Sequence, residues 1–279
     1  MATRYSPTIR RRRLSAELKR IRLAARMTSE EVATAAELSR STYSNIENGS
    51  KQRPRLIEVR AILAACGIKP GKEYEEILDL CRQALDRGWW SRYKDVLAAR
   101  YVGFETEATS IHTWEPIMIP GLLQTPAYAE LMAQSVLTRP EEVQRVVDAR
   151  VARQRILVDE PPELWAIFDE TALGRLEHYP QVRQAQIAHL LEMAQQSTIT
   201  IQMTRADRPN MGSGGPFVIL DFPDPVDPTV VYLETDTDGL YLEEPDEVTR
   251  YRSVMNHLRL AALRPDETMS YLQQQTEKK

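Results

Sequence analysis

The chain has 279 residues, 42% of them hydrophobic and 27% charged, enough for a buried core and for one large or two ordinary domains. No run of eighteen apolar residues occurs, and no apolar segment follows the basic residues of the opening MATRYSPTIRRRR. A membrane span and a secretory signal are therefore not expected, and a cytoplasmic, nucleoid-associated protein is.

The net charge of −4 hides a division. Residues 1–69 hold 15 Lys and Arg against 6 Asp and Glu, a local +9, while the remainder holds 21 against 34, a local −13. A basic head on an acidic body suits a nucleic-acid-binding module joined to a domain of another kind. Within the head, Leu14, Leu18, Ile21 and Ala25 recur at helical spacing and predict a helix from about Ser15 to Arg26. Ahead of it, Arg10 to Arg13 read either as a flexible arm following a DNA backbone or as a disordered basic run. Thr28 and Glu31 of TSEE form a capping box for a second helix, with Val32, Ala35 and Ala36 inward. Ser39 caps a third helix that ends at Gly49, and its only apolar residues are Tyr43 and Ile46. A fourth follows Pro54, with Leu56, Val59, Ile62, Leu63 and Cys66 inward and Gly67 at its end. Helices this short must share one core. The second and third, joined tightly, suit the arrangement whose later helix enters the DNA major groove. Cys66 and Cys81 sit at apolar-periodic positions and read as small buried thiols, not as a disulfide or a metal site.

The segment LKRIRLAARMTSEEVATAAELSRSTYSNIENG resembles the Xre/Cro-type, lambda-repressor-like helix-turn-helix of phage repressors and bacterial regulators, over roughly residues 14–68. The resemblance implies a structural ion pair between Arg22 and Glu47. It also implies base contacts from Arg40, Ser41, Ser44 and Asn45, and phosphate contacts from Ser29, Ser39, Thr42 and Asn48, with Lys51 and Arg53 adding charge in the following loop. The chemistry agrees, since Arg can donate twice to guanine and Asn can pair with adenine, while phosphate contacts fix register without reading sequence. Ser29 departs from the Gln that many members carry at the start of the second helix.

Residues 70–98 read as a helical connection, with Tyr74, Ile77, Leu78, Cys81 and Leu85 at helical spacing and Trp89 and Trp90 packing at the domain boundary. Residues 99–279 read as an α+β domain. Helices are predicted over PAYAELMAQSVL, RPEEVQRVVDARVARQRIL and QVRQAQIAHLLEMAQQ, and a final helical region runs from about Glu244 to Gln275. Strands are predicted over ELWAIFD, TITIQM, PFVILDF, TVVYLE and GLYLE. The stretch YVGFETEATSIHTWEPIMIPGLLQTPAYAELM, with RQRIL, IFDETAL, GGPFVILDF and VVYLE, is similar to the C-terminal domain of unknown function 5753 of actinobacterial WhiJ-like regulators, over about residues 90–275. That group implies a transcriptional regulator, often encoded beside a small protein that binds and restrains it.

The leading expectation is thus a regulator of a double-stranded DNA operator. Its body acts through homodimerisation, a small partner protein or a small ligand, with no membrane, metal or cofactor. Glu105, Trp114, Glu115, Gln124, Asp169 and Glu170 are the candidate ligand pocket. The alternative is a DNA-tethered enzyme using carboxylates among Glu105, Glu107, Asp169, Glu170, Glu234, Asp236 and Asp238. It would gain from convergence of Glu105, Glu115, Asp169 and Glu234 in one concave pocket. Against it, no nucleophile and base pair is evident, and none of His112, His178 and His257 sits in an HExxH pattern. Gly212 to Gly215 lack the Lys of a phosphate-binding loop and read as a strand connection.

Overall fold

The computed structural model describes residues 7–277 apart from 52, 87, 159 and 236–238, so Asp236 and Asp238 lie outside the described residues. The chain divides into two compact units, Met1–Ser91 and Arg92–Lys279.

Among the described residues the head has five α-helices: α1 (Pro7–Ala24), α2 (Ser29–Ala35), α3 (Arg40–Glu47), α4 (Leu56–Ala65) and α5 (Lys72–Ala84). Leu14, Leu18 and Ile21 of α1 meet Val32, Tyr43, Ile46, Val59, Ile62 and Leu63 in one core. Two expectations are corrected here. Arg10 to Arg13 are neither arm nor disordered run, because α1 starts at Pro7 and buries Ile9 completely. Arg is a good helix former and Pro suits a first turn, so a charge run there is compatible with helix. The helix assigned to the connection, α5, belongs to the head, since Ile77, Leu78 and Cys81 close the same core. Inside α2 it is Ala33, not Ala35, that turns inward with Val32 and Ala36. Cys81 is buried and Cys66 partly so, both as free thiols. Burial pushes Cys81 up to about 11, which keeps it protonated.

In the body, α6 (Ala99–Glu107) leads into β1 (Ser110–Glu115), followed by α7 (Pro126–Gln134), α8 (Pro140–Gln154), β2 (Glu163–Asp169), α9 (Thr171–Gly174), α10 (Pro180–Met193) and β3 (Ile199–Thr204). Then come β4 (Phe217–Asp221), β5 (Val230–Glu234), β6 (Gly239–Leu242), α11 (Pro245–Ala261) and α12 (Pro265–Glu277). The strands form one mixed sheet in the order β3-β2-β1-β4-β5-β6. β1 pairs parallel with β2 and antiparallel with β4, so it joins a crossover-connected half to a meander. Strand alternation separates two faces. Trp114, Phe217, Ile219 and Val231 pack with Met255 and Leu258 of α11. The other face carries Ile111, Thr113, Glu115, Val218, Tyr232 and Glu234 toward a cavity.

β1 and α6 were not legible from periodicity. A central strand is usually apolar, but SIHTWE is mostly polar, and two of its polar side chains, Ser110 and His112, are hydrogen-bonded. Burial and the adjacent Arg259 hold His112 down at about 4, hence neutral. Its Nδ1 accepts from Arg259 at 2.8 Å and its Nε2 lies 3.0 Å from Ser110 Oγ. Among the described residues no helix is long and apolar enough to cross a membrane.

Candidate functional site

The third helix of the head is held from one side and open on the other. Ser39 Oγ accepts from the Thr42 amide at 3.1 Å, capping its start. At its end Ser15 Oγ of α1 donates to the Ile46 carbonyl at 2.9 Å, and Gly49 takes φ +73°. A side chain at position 49 would be strained, and its Cβ would also crowd Ser15 Oγ at 3.1 Å. Tyr43 and Ile46 anchor the helix in the core. Arg22 Nε donates to Glu47 Oε1 at 2.6 Å, and Glu47 also accepts from Tyr43 Oη at 2.9 Å and Ser29 Oγ at 3.3 Å. Three side chains from three helices therefore meet at one carboxylate. The bond to Glu47, against the cost of burial, holds the Arg22 guanidinium above its ordinary value.

The opposite face carries Arg40, Ser41, Ser44 and Asn45, all exposed. Arg40 is 77% exposed, and its ionic neighbour Glu30 lies 3.8 Å away, itself 71% exposed. Such a pair is weak and leaves the guanidinium free to swing. Asn45 Oδ1 accepts from Ser50 Oγ at 3.1 Å. Ser39, Asn48 and Arg53 are exposed at the ends of this helix and in its following loop, while Ser29 and Thr42 are partly buried.

Lys51 also has a partner within the head. Its Nζ donates to both Glu58 oxygens, at 2.7 and 2.8 Å, and the Glu58 side chain is 1% exposed. The ammonium is thus committed to closing the loop onto α4. Arg55 adds its backbone amide and its guanidinium to the same carboxylate. Burial raises the Glu58 pKa, but the bonds from Lys51 and Arg55 outweigh it, and the value falls from 4.5 to about 2. A depressed carboxyl contributes stability that is complete above its unfolded value and lost as the pH falls through its folded one. The head should therefore lose up to about 3 kcal/mol between pH 4.5 and pH 2 from this group. Denaturant titrations at several pH values test this, because Glu58→Gln should show a flatter acid limb than the wild type.

In the body, a cavity of about 230 Å³ lies between the sheet and α6, α8 and the 3-10 turn Gly121–Leu123. Glu105, 1% exposed, accepts from Arg153 Nε at 2.5 Å and Nη2 at 2.7 Å and from Tyr101 Oη at 2.7 Å. Burial works against the Arg153 cation, but Glu105 and Tyr101 more than offset it and leave its pKa raised. Burial and the neighbouring Glu234 push Glu115 up to about 7. Burial and Arg153 push Arg150 down.

Of the six residues expected to line a pocket, Glu105, Glu115 and Gln124 do. Trp114 does not. It sits on the opposite face of β1, where its indole donates to the Gly212 carbonyl at 3.0 Å and any Cβ at Gly212 would strike the ring. Asp169 is spent locally, accepting from Thr204 Oγ1 at 2.7 Å and from Thr171 Oγ1 at 2.8 Å. Glu170 accepts from the Ala206 amide at 2.8 Å and from Tyr271 Oη at 3.1 Å, and it pairs with Arg205 at 3.1 Å. Both carboxylates tie strand ends to neighbouring segments. Of the four carboxylates whose convergence bears on catalysis, Glu105, Glu115 and Glu234 meet in the cavity and Asp169 does not. Arg150, Arg153 and Tyr101 escaped sequence reasoning. The arginines lie three apart on α8, a spacing that puts both on one face, but only the position of α8 on the sheet shows what that face covers.

Residues 98–274 match a family model described as a domain of unknown function, DUF5753, and residues 13–77 match a helix-turn-helix domain. The second match ends inside α5, the helix that the core assigns to the head. No curated protein and no solved structure matches the chain.

Proposed function

Since the chain belongs to the DUF5753 family and carries a helix-turn-helix head, we propose that it is a transcriptional regulator that reads an operator with Arg40, Ser41, Ser44 and Asn45. The observation that carries this is the two-sidedness of α3. Its anchors all face the core, and its exposed face holds side chains that suit base edges. Ser29, Ser39, Thr42, Asn48 and Arg53 supply the phosphate contacts. Lys51 supplies a single remaining N–H, its other two being held by Glu58.

Arg40→Ala and Asn45→Ala should each weaken binding to a selected operator by about 1–3 kcal/mol, and should relax preference at the base each one reads. Arg53→Ala should weaken binding to all sequences alike and reduce the salt slope by about one. Electrophoretic mobility shifts across a salt series separate the two classes. Unchanged affinity in both base-contact variants would contradict the assignment.

One head offers a small interface, so useful specificity calls for two heads on related half-sites, and the body is the part that would pair them. The body then controls the head through dimerisation, a small partner protein or a small ligand. Convergence of Glu105, Glu115 and Glu234 also gives the tethered-enzyme reading an observation in its favour. Glu105 is fully occupied by Arg153 and Tyr101, which leaves Glu115 and Glu234 as a binding pair more readily than as a catalytic set.

A further inference from the structure

We propose that the body cavity is a receptor site for a small organic ammonium that also carries a carbonyl-type oxygen, the ammonium held by Glu115, Glu234 and Gln124 and the oxygen by Arg150. The proposal deepens the reading of the body as the controlling part of the regulator.

The polar groups of the cavity divide into satisfied and unsatisfied. Glu105, Arg153 and Tyr101 bond to one another and need nothing further. Gln124 is 3% exposed and lines the cavity, and its Nε2 donates to the Ile119 carbonyl at 2.7 Å. That bond fixes the amide orientation, because the flipped amide would set oxygen against oxygen. Its Oε1 is left buried with no partner and requires a donor. Among the described residues, Glu115 and Arg150 make no hydrogen bond or ion pair of their own, although both line the cavity.

Charge gives the sign of the ligand. Glu105, Glu115 and Glu234 face Arg150 and Arg153, so with all five ionised the wall is one positive charge short. An ammonium supplies that charge and donates to the free acceptors, and an acceptor on the same molecule serves the unpaired guanidinium. Gly121 makes the room. A Cβ there would lie 2.6 Å from Arg150 Nη1 and 3.0 Å from Arg153 Nη1. The hydrocarbon part would rest on Met118, Leu122 and Val218. At about 230 Å³ the space suits a molecule of amino-acid size.

Calorimetry on the full chain with glycinamide, leucinamide and phenylalaninamide tests the site, with 3-methylbutylamine lacking the acceptor and isovaleramide lacking the ammonium. At least one amino amide should bind, 3-methylbutylamine should bind more weakly, and isovaleramide should not bind. Arg150→Met should bring leucinamide down to the affinity of 3-methylbutylamine. Glu115→Gln should weaken 3-methylbutylamine at least tenfold. In the wild type the affinity of that amine should rise with pH up to about 7, where Glu115 ionises, and Glu115→Gln should abolish the rise. The titratable groups around it are Tyr101 and Glu105 of α6, Tyr128 of α7, Arg150 and Arg153 of α8, and Tyr232 and Glu234 of β5. Binding of isovaleramide as tight as that of leucinamide, no binding of any amino amide, or an unaltered pH profile in Glu115→Gln would overturn the proposal. Its failure is separable from that of the DNA reading, because Arg40→Ala should weaken operator binding and keep these probes, and Glu115→Gln should do the reverse.

Discussion

Glu47→Ala is expected to destabilise the head by about 3–5 kcal/mol, far more than loss of an exposed ion pair, which costs about 1 kcal/mol or less. Arg22 and Glu47 are 14% and 13% exposed, so removing the carboxylate leaves a largely buried guanidinium with the Met27 carbonyl as its remaining partner. Tyr43 Oη and Ser29 Oγ lose their acceptor in the same step. Replacing both partners by apolar residues, Arg22→Met with Glu47→Leu, should recover much of the loss, because no charge is then left uncompensated. Urea unfolding of the full chain, followed as separate transitions of the two units, measures both variants. A cost below 1 kcal/mol for Glu47→Ala would mean that the pair behaves as a surface bridge. Operator binding should fall with Glu47→Ala although no base contact is touched, since the network fixes the angle at which α3 leaves the core.

A second large effect is expected in the body, where Glu105→Ala should also cost about 3–5 kcal/mol. Arg153 donates twice to this carboxylate and lies 5.0 Å from the Tyr101 ring centroid, so it would be left as a buried cation beside Arg150. The double variant Glu105→Leu with Arg153→Met should unfold at a urea concentration much closer to that of the wild type. Equal losses in the single and the double variant would show that packing volume, and not charge compensation, sets the cost.

The head was largely legible because its signals are local. A capping box, a Ser N-cap and a Gly at positive φ mark helix ends within four residues of sequence, and the Thr28, Ser39 and Gly49 geometries follow from those residue types. The start of α1 was not, because Arg10 to Arg13 look alike whether they lie on a helix or off one. The decisive contact, burial of Ile9, depends on the rest of the bundle. In the body, strands with β-branched alternation were placed closely, ELWAIFD over the whole of β2. β1 was missed because a polar strand can stand at the centre of a sheet when its partners come from distant helices, as Arg259 does for His112. The cavity was half legible for the same reason. Glu105, Glu115 and Gln124 are pocket candidates in sequence together with Asp169 and Glu170, which look no different there but are used up at strand ends. Which of two similar carboxylates remains available depends on neighbours 30 or more residues away, Thr204 for Asp169 and Ala206 and Tyr271 for Glu170.

The claim that α3 reads DNA is tested most directly by selecting duplexes from a random library with the full chain and, in parallel, with Arg40→Ala. The wild type should enrich two related half-sites whose centres lie one helical turn, about 10 base pairs, or a multiple of it apart. Arg40→Ala should enrich the same half-sites with preference lost at one guanine in each. Enrichment of an unchanged motif by the variant, or of none by the wild type, would contradict it.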